Sequence, residues 1–190
     1  MKKNRLEAFS DGVMAVILTI LVLELKVPHG TEYRDLAPLI PKFLCYVLSF
    51  VYVAIYWNNH HHLFQIVEQV RGAALWANMH LLLWLSLVPF TTAWMGENNF
   101  AAKPVFLYGI VLTGAGMAYW ILVRSLMRHH HKDSPLAQAI GKDVKGNISV
   151  VLYLAALGAV FIHPWISCGV YVLVAIIWLI PDRRIEKQLL

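Results

Sequence analysis

Charged residues are scarce in this chain of 190 amino acids: Asp, Glu, Lys and Arg make up 14%, whereas hydrophobic residues make up 59%. Soluble domains are nearer one quarter charged and one half hydrophobic. The imbalance excludes a disordered chain, a coiled coil and most soluble enzymes, and it indicates an integral membrane protein. Cysteine is also scarce, with only Cys45 and Cys168, so a disulfide framework and a four-cysteine zinc site are excluded.

Motifs of catalysis and of metal binding are missing as well. The chain has no G-x-S-x-G turn, no phosphate-binding G-x-x-x-x-G-K-S/T loop and no H-E-x-x-H. The histidine runs 60–62 and 129–131 are adjacent triples, whereas two metal ligands on one helix face stand four residues apart. We therefore expect no enzyme activity, no cofactor and no bound metal.

Six apolar segments remain, most of them near the roughly 20 residues that a helix needs to cross a bilayer. Backbone polar groups in lipid must be hydrogen-bonded internally, so helices are the default. The sequence predicts an all-α integral membrane protein, one domain over 1–190, with six transmembrane helices. The predicted spans are approximately 6–25, 37–57, 73–94, 104–123, 148–162 and 165–180.

Proline and glycine refine this picture. Pro89 should kink the third span, and His163-Pro164 should form a tight turn between the last two. Small residues recur in the fourth and fifth spans and predict close helix contacts. They are Gly109, Gly114, Gly116 and Ala118, then Ala155, Gly158 and Ala159.

Basic residues predict the orientation, because Lys and Arg concentrate on the cytosolic side. With the N-terminus inside, twelve of the sixteen fall in inner segments; the outer four are Lys26, Arg34, Lys42 and Lys103. Both termini should therefore be cytosolic, in a multi-pass protein of the cell membrane. The formal charge of +5 does not indicate a nucleic-acid partner, because the basic residues flank apolar runs.

Polar side chains at the start of the first three spans are the candidate network, because such groups are costly in lipid. Asp11 alone could be a helix N-terminal charge, favoured by the helix dipole. The functional interpretation is a buried network at the cytosolic end of the bundle. Its candidate members are Arg5, Ser10, Asp11, His60, His61, Asn78 and His80.

The first helix also carries an apolar face. Val16, Thr19, Ile20 and Leu23 follow the i, i+3, i+4, i+7 spacing that places residues on one side of a helix. Such a stripe is typical of ordinary bundle packing, but it also suits a pore wall whose narrow apolar rings gate by dewetting. Periodicity alone does not separate the two.

The segment Arg5-Leu6-Glu7-Ala8-Phe9-Ser10-Asp11-Gly12 resembles the bacterial relatives of transmembrane protein 175, the endosomal and lysosomal potassium channel. The family pattern is R-x-x-x-F-S-D at the start of the first of six spans. The resemblance is strongest over residues 5–28. It implies a homotetramer in a bacterial inner membrane that conducts potassium passively along a fourfold axis.

The same resemblance implies residue roles. The constriction falls on Val16, Ile20 and Leu23, with the family threonine at Thr19 and no T-V-G-Y-G filter. Val16 is smaller than the family's usual residue, so Ile20 or Leu23 should form the tighter ring. Arg5, Phe9, Ser10 and Asp11 form the motif that holds the helices together, with Asn78 and His80 as partners.

Glu24, at the outer end of the first helix, could concentrate cations at the mouth or simply pair with Lys26. Two other functions stay open at this point. One is a proton-coupled small-solute carrier that uses Asp11 and His80 as a relay. The other is a membrane scaffold that transports nothing.

Overall fold

The computed structural model describes residues 3–67, 70–128 and 144–179, and every regular element within these ranges is helical. The all-α prediction is therefore confirmed. The helices are α1 (Lys3–Leu23), α2 (Ile40–Ile66), α3 (Gly72–Ser86), α4 (Val88–Glu97), α5 (Ala102–Met127), α6 (Val144–Ala159) and α7 (Pro164–Leu179), and a 3-10 helix (Tyr33–Leu39) leads into α2. The second histidine run, 129–131, lies outside the described residues.

Four helical segments are long and apolar enough to cross a membrane: Lys3–Leu23, Tyr33–Ile66, Gly72–Glu97 and Ala102–Met127. The last two helices are apolar but have 16 residues each in the described part of the chain. At 1.5 Å per residue each extends about 24 Å, against a hydrocarbon core of about 30 Å. The six predicted segments are thus all helical, and four of them reach full membrane-spanning length.

The third segment is divided where the sequence predicted a kink. α3 ends at Ser86, α4 begins at Val88, and Pro89 occupies the first turn of α4. Proline has no N–H to donate to the preceding turn, so the helical hydrogen-bond ladder is interrupted there. Pro164 likewise opens α7 after the short turn that follows α6.

The second helix is longer than predicted: it continues nine residues past residue 57, to Ile66. His60, Leu63 and Phe64 in this extension are all buried. The helix continues past the predicted membrane span of 37–57 because tertiary packing, and not the apolar run alone, sets where it stops. The first histidine run is therefore helical.

The interior consists of two apolar clusters. One joins α1 to α3, to the second half of α2 and to the second half of α5, and the other joins the first halves of α2 and α5 to α6 and α7. Glycines allow two close contacts on α5: a Cβ at Gly114 would overlap the Trp84 ring, and one at Gly109 would overlap the Tyr171 hydroxyl. Gly158 has no such neighbour, so the prediction of close contacts is confirmed for α5 and wrong at Gly158.

Candidate functional site: the first helix and the network behind it

α1 has two unlike faces. Leu6, Ser10, Met14, Ile17 and Leu21 repeat every three or four residues and are all buried against the rest of the chain. This regular burial leaves the opposite side of the helix without a partner among the residues that the structure describes. The predicted pore residues lie on that opposite side.

The apolar face is open along its whole length. Val16 is 56% exposed, Ile20 40% and Leu23 76%. In a helix that spans a membrane, exposed aliphatic side chains contact lipid or another protein chain, so this row faces lipid or a second copy of the chain. Ordinary packing within one chain, one of the two interpretations of the stripe, does not explain this row.

Thr19 lies on the same exposed face, and its hydroxyl is oriented by its own helix. Its Oγ1 donates a hydrogen bond to the Val16 carbonyl oxygen at 2.7 Å. With its proton committed to the backbone, the hydroxyl oxygen presents only lone pairs to its surroundings. That is the arrangement a cation requires of a neutral ligand.

Glu24 follows the last residue of α1 and is exposed. It lines a cleft between α1 and α4 together with Ile20, Phe90 and Glu97. Within the described residues Glu24 forms no ion pair with Lys26; the ion pair at this end joins Lys42 Nζ to Glu97 Oε1 at 3.2 Å. The pairing considered for Glu24 is thus not observed among the described residues.

Behind the open face, a buried chain of hydrogen bonds fastens α1 to α2 and α3. Asn78 Nδ2 donates to Ser10 Oγ at 2.9 Å, and Asn78 Oδ1 bonds to His60 Nε2 at 2.8 Å. Ser10 Oγ in turn donates to the Leu6 carbonyl at 2.9 Å. All three side chains of this network are at most 1% exposed. Because Asn78 Oδ1 can only accept, His60 Nε2 carries the proton.

Asp11 has a separate partner on the solvent side of this network. Its Oδ1 accepts a hydrogen bond from Trp57 Nε1 at 3.0 Å. The Trp57 ring stacks on His61, with centroids 5.5 Å apart, and His61 Nε2 bonds to Gln65 Nε2 at 2.8 Å. Ser10 therefore connects α1 to α3 from the interior, and Asp11 connects α1 to α2 from the surface.

Three predicted members are not brought together with the rest. Arg5 and Phe9 are exposed on α1, and Arg5 forms no ion pair with any described residue. His80 accepts a hydrogen bond from Trp84 Nε1 at 2.9 Å on its own helix. His80 shares no hydrogen-bond partner with Asp11 in the described structure, so a direct relay between the two has no geometric support.

Sequence reasoning missed the hydrogen-bond partner of Asp11 and a second buried cluster. Trp57 lies near the end of the predicted second span, a position that suits an interfacial aromatic residue, and the structure places it where α2 faces the start of α1. Ser49 Oγ lies 2.7 Å from Thr92 Oγ1 and 2.9 Å from the Tyr108 hydroxyl, and all three are buried. Isolated hydroxyls in apolar spans carry little signal, since their partners come from distant helices. Among the described residues, no group of three or more His, Cys, Asp or Glu is placed to hold a metal.

Comparison with known proteins adds to this geometry. Residues 5–89, which include α1 to α3, match the family model of the endosomal/lysosomal potassium channel TMEM175. A potassium channel of Chryseobacterium sp. (strain P1-3) is 54% identical over 189 residues, covering 100% of this chain and 98% of the relative. This chain belongs to the TMEM175 family.

Other TMEM175 proteins resemble this chain at lower sequence identity. A potassium channel of Chamaesiphon minutus is 33% identical over 91% of both chains. The crystal structure of a lysosomal potassium-selective TMEM175 homologue from Chamaesiphon minutus superposes with a TM-score of 0.79 at 31% identity, covering 95% of this chain and 97% of that one. The human endosomal/lysosomal proton channel TMEM175 is 32% identical, but the match covers only 23% of its length. These TMEM175 relatives are channels, that is, transport proteins and not enzymes.

Proposed function

We propose that four copies of this chain assemble into a potassium channel whose pore is lined by α1. Potassium channel is the function named for the bacterial relatives that match this chain over nearly its whole length. The observation that supports the location of the pore is the exposed apolar row on α1, which faces away from its own bundle. Closed cyclic symmetry would bring four such rows together around one axis.

The proposed barrier is short. With a rise of 1.5 Å per residue, the side chains of Val16, Ile20 and Leu23 form three rings over about 10 Å of pore. Apolar rings of this kind oppose the entry of water and ions when narrow and conduct when they widen. Val16 has the smallest side chain of the three, so the tightest ring in this proposal is Ile20 or Leu23.

Thr19 provides the polar level of the barrier. Its hydroxyl already donates to the Val16 carbonyl, so four Thr19 oxygens would face the axis as acceptors. They can replace part of the hydration shell of a potassium ion, which holds its water less tightly than sodium does. Selectivity built on one ring of hydroxyls should be modest compared with a cage of backbone carbonyls.

The remaining groups support this pore. Glu24, exposed at the end of α1, would raise the cation concentration at the outer mouth. The Ser10–Asn78–His60 network and the Asp11–Trp57 bond would hold α1 in one rotational position, so that its apolar face stays on the axis. In this proposal both termini are cytosolic and the lipid is that of a bacterial inner membrane.

Cation flux from the purified protein in liposomes tests the proposal, with a potassium gradient and then a sodium gradient. Potassium should move faster than sodium, and Ile20→Ala and Leu23→Ala should each change the rate or the selectivity by several fold. Matched controls are Ile176→Ala and Leu173→Ala, which truncate exposed side chains of the same two types on α7 and should change neither. The purified complex should have a protein mass of about 86 kDa, four times 21.6 kDa.

The other outcomes point elsewhere. Flux that is unaffected by both α1 variants would remove the pore from α1. Saturable flux that depends on a solute and is lost in Asp11→Asn would identify a carrier. Reproducible absence of flux from folded protein would favour a membrane scaffold that transports nothing.

A further inference from the structure

A groove between α3 and α5 carries chemistry that the channel proposal does not use. We propose that this α3–α5 groove binds the headgroup of an anionic phospholipid. The residues that carry the inference are Trp76, His80, Trp120, Arg124, Ser125 and Arg128. The start of α3 and the end of α5 meet here, at the same end of the bundle as Ser10 and His60.

The basic side of the groove is on α5. Arg124 and Arg128 are four residues apart, so they lie on one face of the helix end. The Arg124 guanidinium carbon stands 4.6 Å from the centre of the Trp120 ring. Neither arginine forms an ion pair with a residue that the structure describes, so two positive charges lie side by side without a neutralising carboxylate there. Favourable interaction with the helix dipole accounts for one such charge in the last turn, but it does not require two charges next to an aromatic groove.

The other wall is aromatic and polar. Trp76 on α3 is 78% exposed, more than any other tryptophan of the chain. His80, one turn further into the membrane, accepts from Trp84 through Nε2, so its neutral ring carries the proton on Nδ1 and has a donor left. Tryptophan prefers the level of lipid headgroups, where its ring is half in the apolar phase.

These features together define the occupant. Arginine binds phosphate through charge-assisted hydrogen bonds, and Ser125 adds a hydroxyl at the same level. Ala77 and Ile121 give the groove an apolar floor along which acyl chains can lie. Basic pockets between membrane helices at the cytosolic face are suited to anionic headgroups. A zwitterionic lipid would bring its own positive charge against the two arginines.

Native mass spectrometry of the purified full-length protein tests this inference, with phosphatidylglycerol and phosphatidylcholine of the same acyl chains as probes. Phosphatidylglycerol should bind more tightly. Arg124→Gln and Arg128→Gln should each weaken it about fivefold, while Arg124→Lys/Arg128→Lys should keep most of the affinity. The control is Arg71→Gln, which removes an exposed charge at the same end but outside the groove, and it should change little.

A second measurement does not depend on the arginine variants folding. Brominated phosphatidylglycerol should quench tryptophan fluorescence of the wild-type protein more than brominated phosphatidylcholine does. Trp76→Phe should reduce this difference, and Trp76→Phe/Trp120→Phe should remove it. Equal binding of both lipids, or an equal loss in Arg71→Gln, would overturn the inference. So would full competition by glycerol phosphate, which would indicate a soluble ligand. Loss of the oligomer in Trp76→Ala with lipid binding unchanged would place a second copy of the chain in the groove.

Discussion

We expect Asn78 to contribute strongly to the attachment of α1 to the bundle, and Asn78→Ala tests that directly. The substitution removes both the bond to Ser10 Oγ and the bond to His60 Nε2, at 2.9 and 2.8 Å. Hydrogen bonds between membrane helices contribute about 0.6 kcal/mol on average and up to about 1.7 kcal/mol. Two of them, at a fully buried position, give an expected loss of about 1–3 kcal/mol in the free energy of unfolding.

The assay is reversible unfolding in mixed detergent and dodecyl sulfate micelles, followed by helical circular dichroism. Asn98→Ala is the matched control, because Asn98 is exposed and its amide donates only to the Trp94 carbonyl of its own helix end. It should cost a few tenths of a kcal/mol at most. Ser10→Ala should cost about 1 kcal/mol, since Ser10 contributes one of the two interhelical bonds.

A double-mutant cycle makes the test specific to the bond. Ser10→Ala and Asn78→Ala together should cost less than the sum of the two single changes, by about 0.6–1.7 kcal/mol. Additive effects, or an Asn78→Ala protein as stable as Asn98→Ala, would refute the role assigned to the network.

Three further predictions use the same unfolding assay. Gly114→Ala should destabilise the protein by about 1–3 kcal/mol, because the new methyl group overlaps the Trp84 ring. Gly158→Ala, whose new methyl group would have no atom within 4 Å, should be neutral or slightly stabilising, and equal effects of the two variants would contradict the packing described. Ser49→Ala should reduce the free energy of unfolding by about 1–3 kcal/mol, because Thr92 and Tyr108 lose their shared partner. Ser86→Ala, at an exposed position, should change it hardly at all, and an equally small effect at Ser49 would count against the buried cluster. Trp57→Phe keeps an aromatic ring on His61 but removes the donor to Asp11, so it should reduce the free energy of unfolding of the wild type by about 1 kcal/mol. In the Asp11→Ala protein the same change should cost nothing further, and an undiminished loss in that background would show that Asp11 is not the relevant partner.

Much of the architecture follows from the sequence because its causes are local. The apolar runs and the requirement for internal hydrogen bonds predict the helices, and the missing N–H of Pro89 predicts the break between α3 and α4. The close contacts at Gly109 and Gly114 also follow from residue size. The apolar run does not give the end of α2, since burial of Leu63 and Phe64 extends the helix past the predicted span of 37–57.

The sequence predicted which residues belong to the candidate site better than it predicted which of them form hydrogen bonds with each other. Ser10 and Asn78 stand out as polar groups in apolar spans, and the structure joins them. His80 has the same appearance in the sequence, yet it bonds to Trp84 four residues later. Which of two such side chains reaches a neighbouring helix depends on helix rotation, and uniformly apolar helices such as α3 give no periodic signal for that rotation.

The lining of the pore by α1 is the central claim, and two isoleucines three residues apart test it. Ile20 is 40% exposed on the open face and Ile17 is 3% exposed on the packed face. The native Cys45 and Cys168 are buried, so potassium flux through the wild-type protein should be insensitive to Cd²⁺. Four cysteines around an axis would bind Cd²⁺ and block the path. We expect Ile20→Cys to be blocked by Cd²⁺ and restored by a chelator, with Ile17→Cys unaffected. Potassium flux through Ile20→Cys that is insensitive to Cd²⁺ would contradict a pore lined by α1, and so would an equal block of both variants.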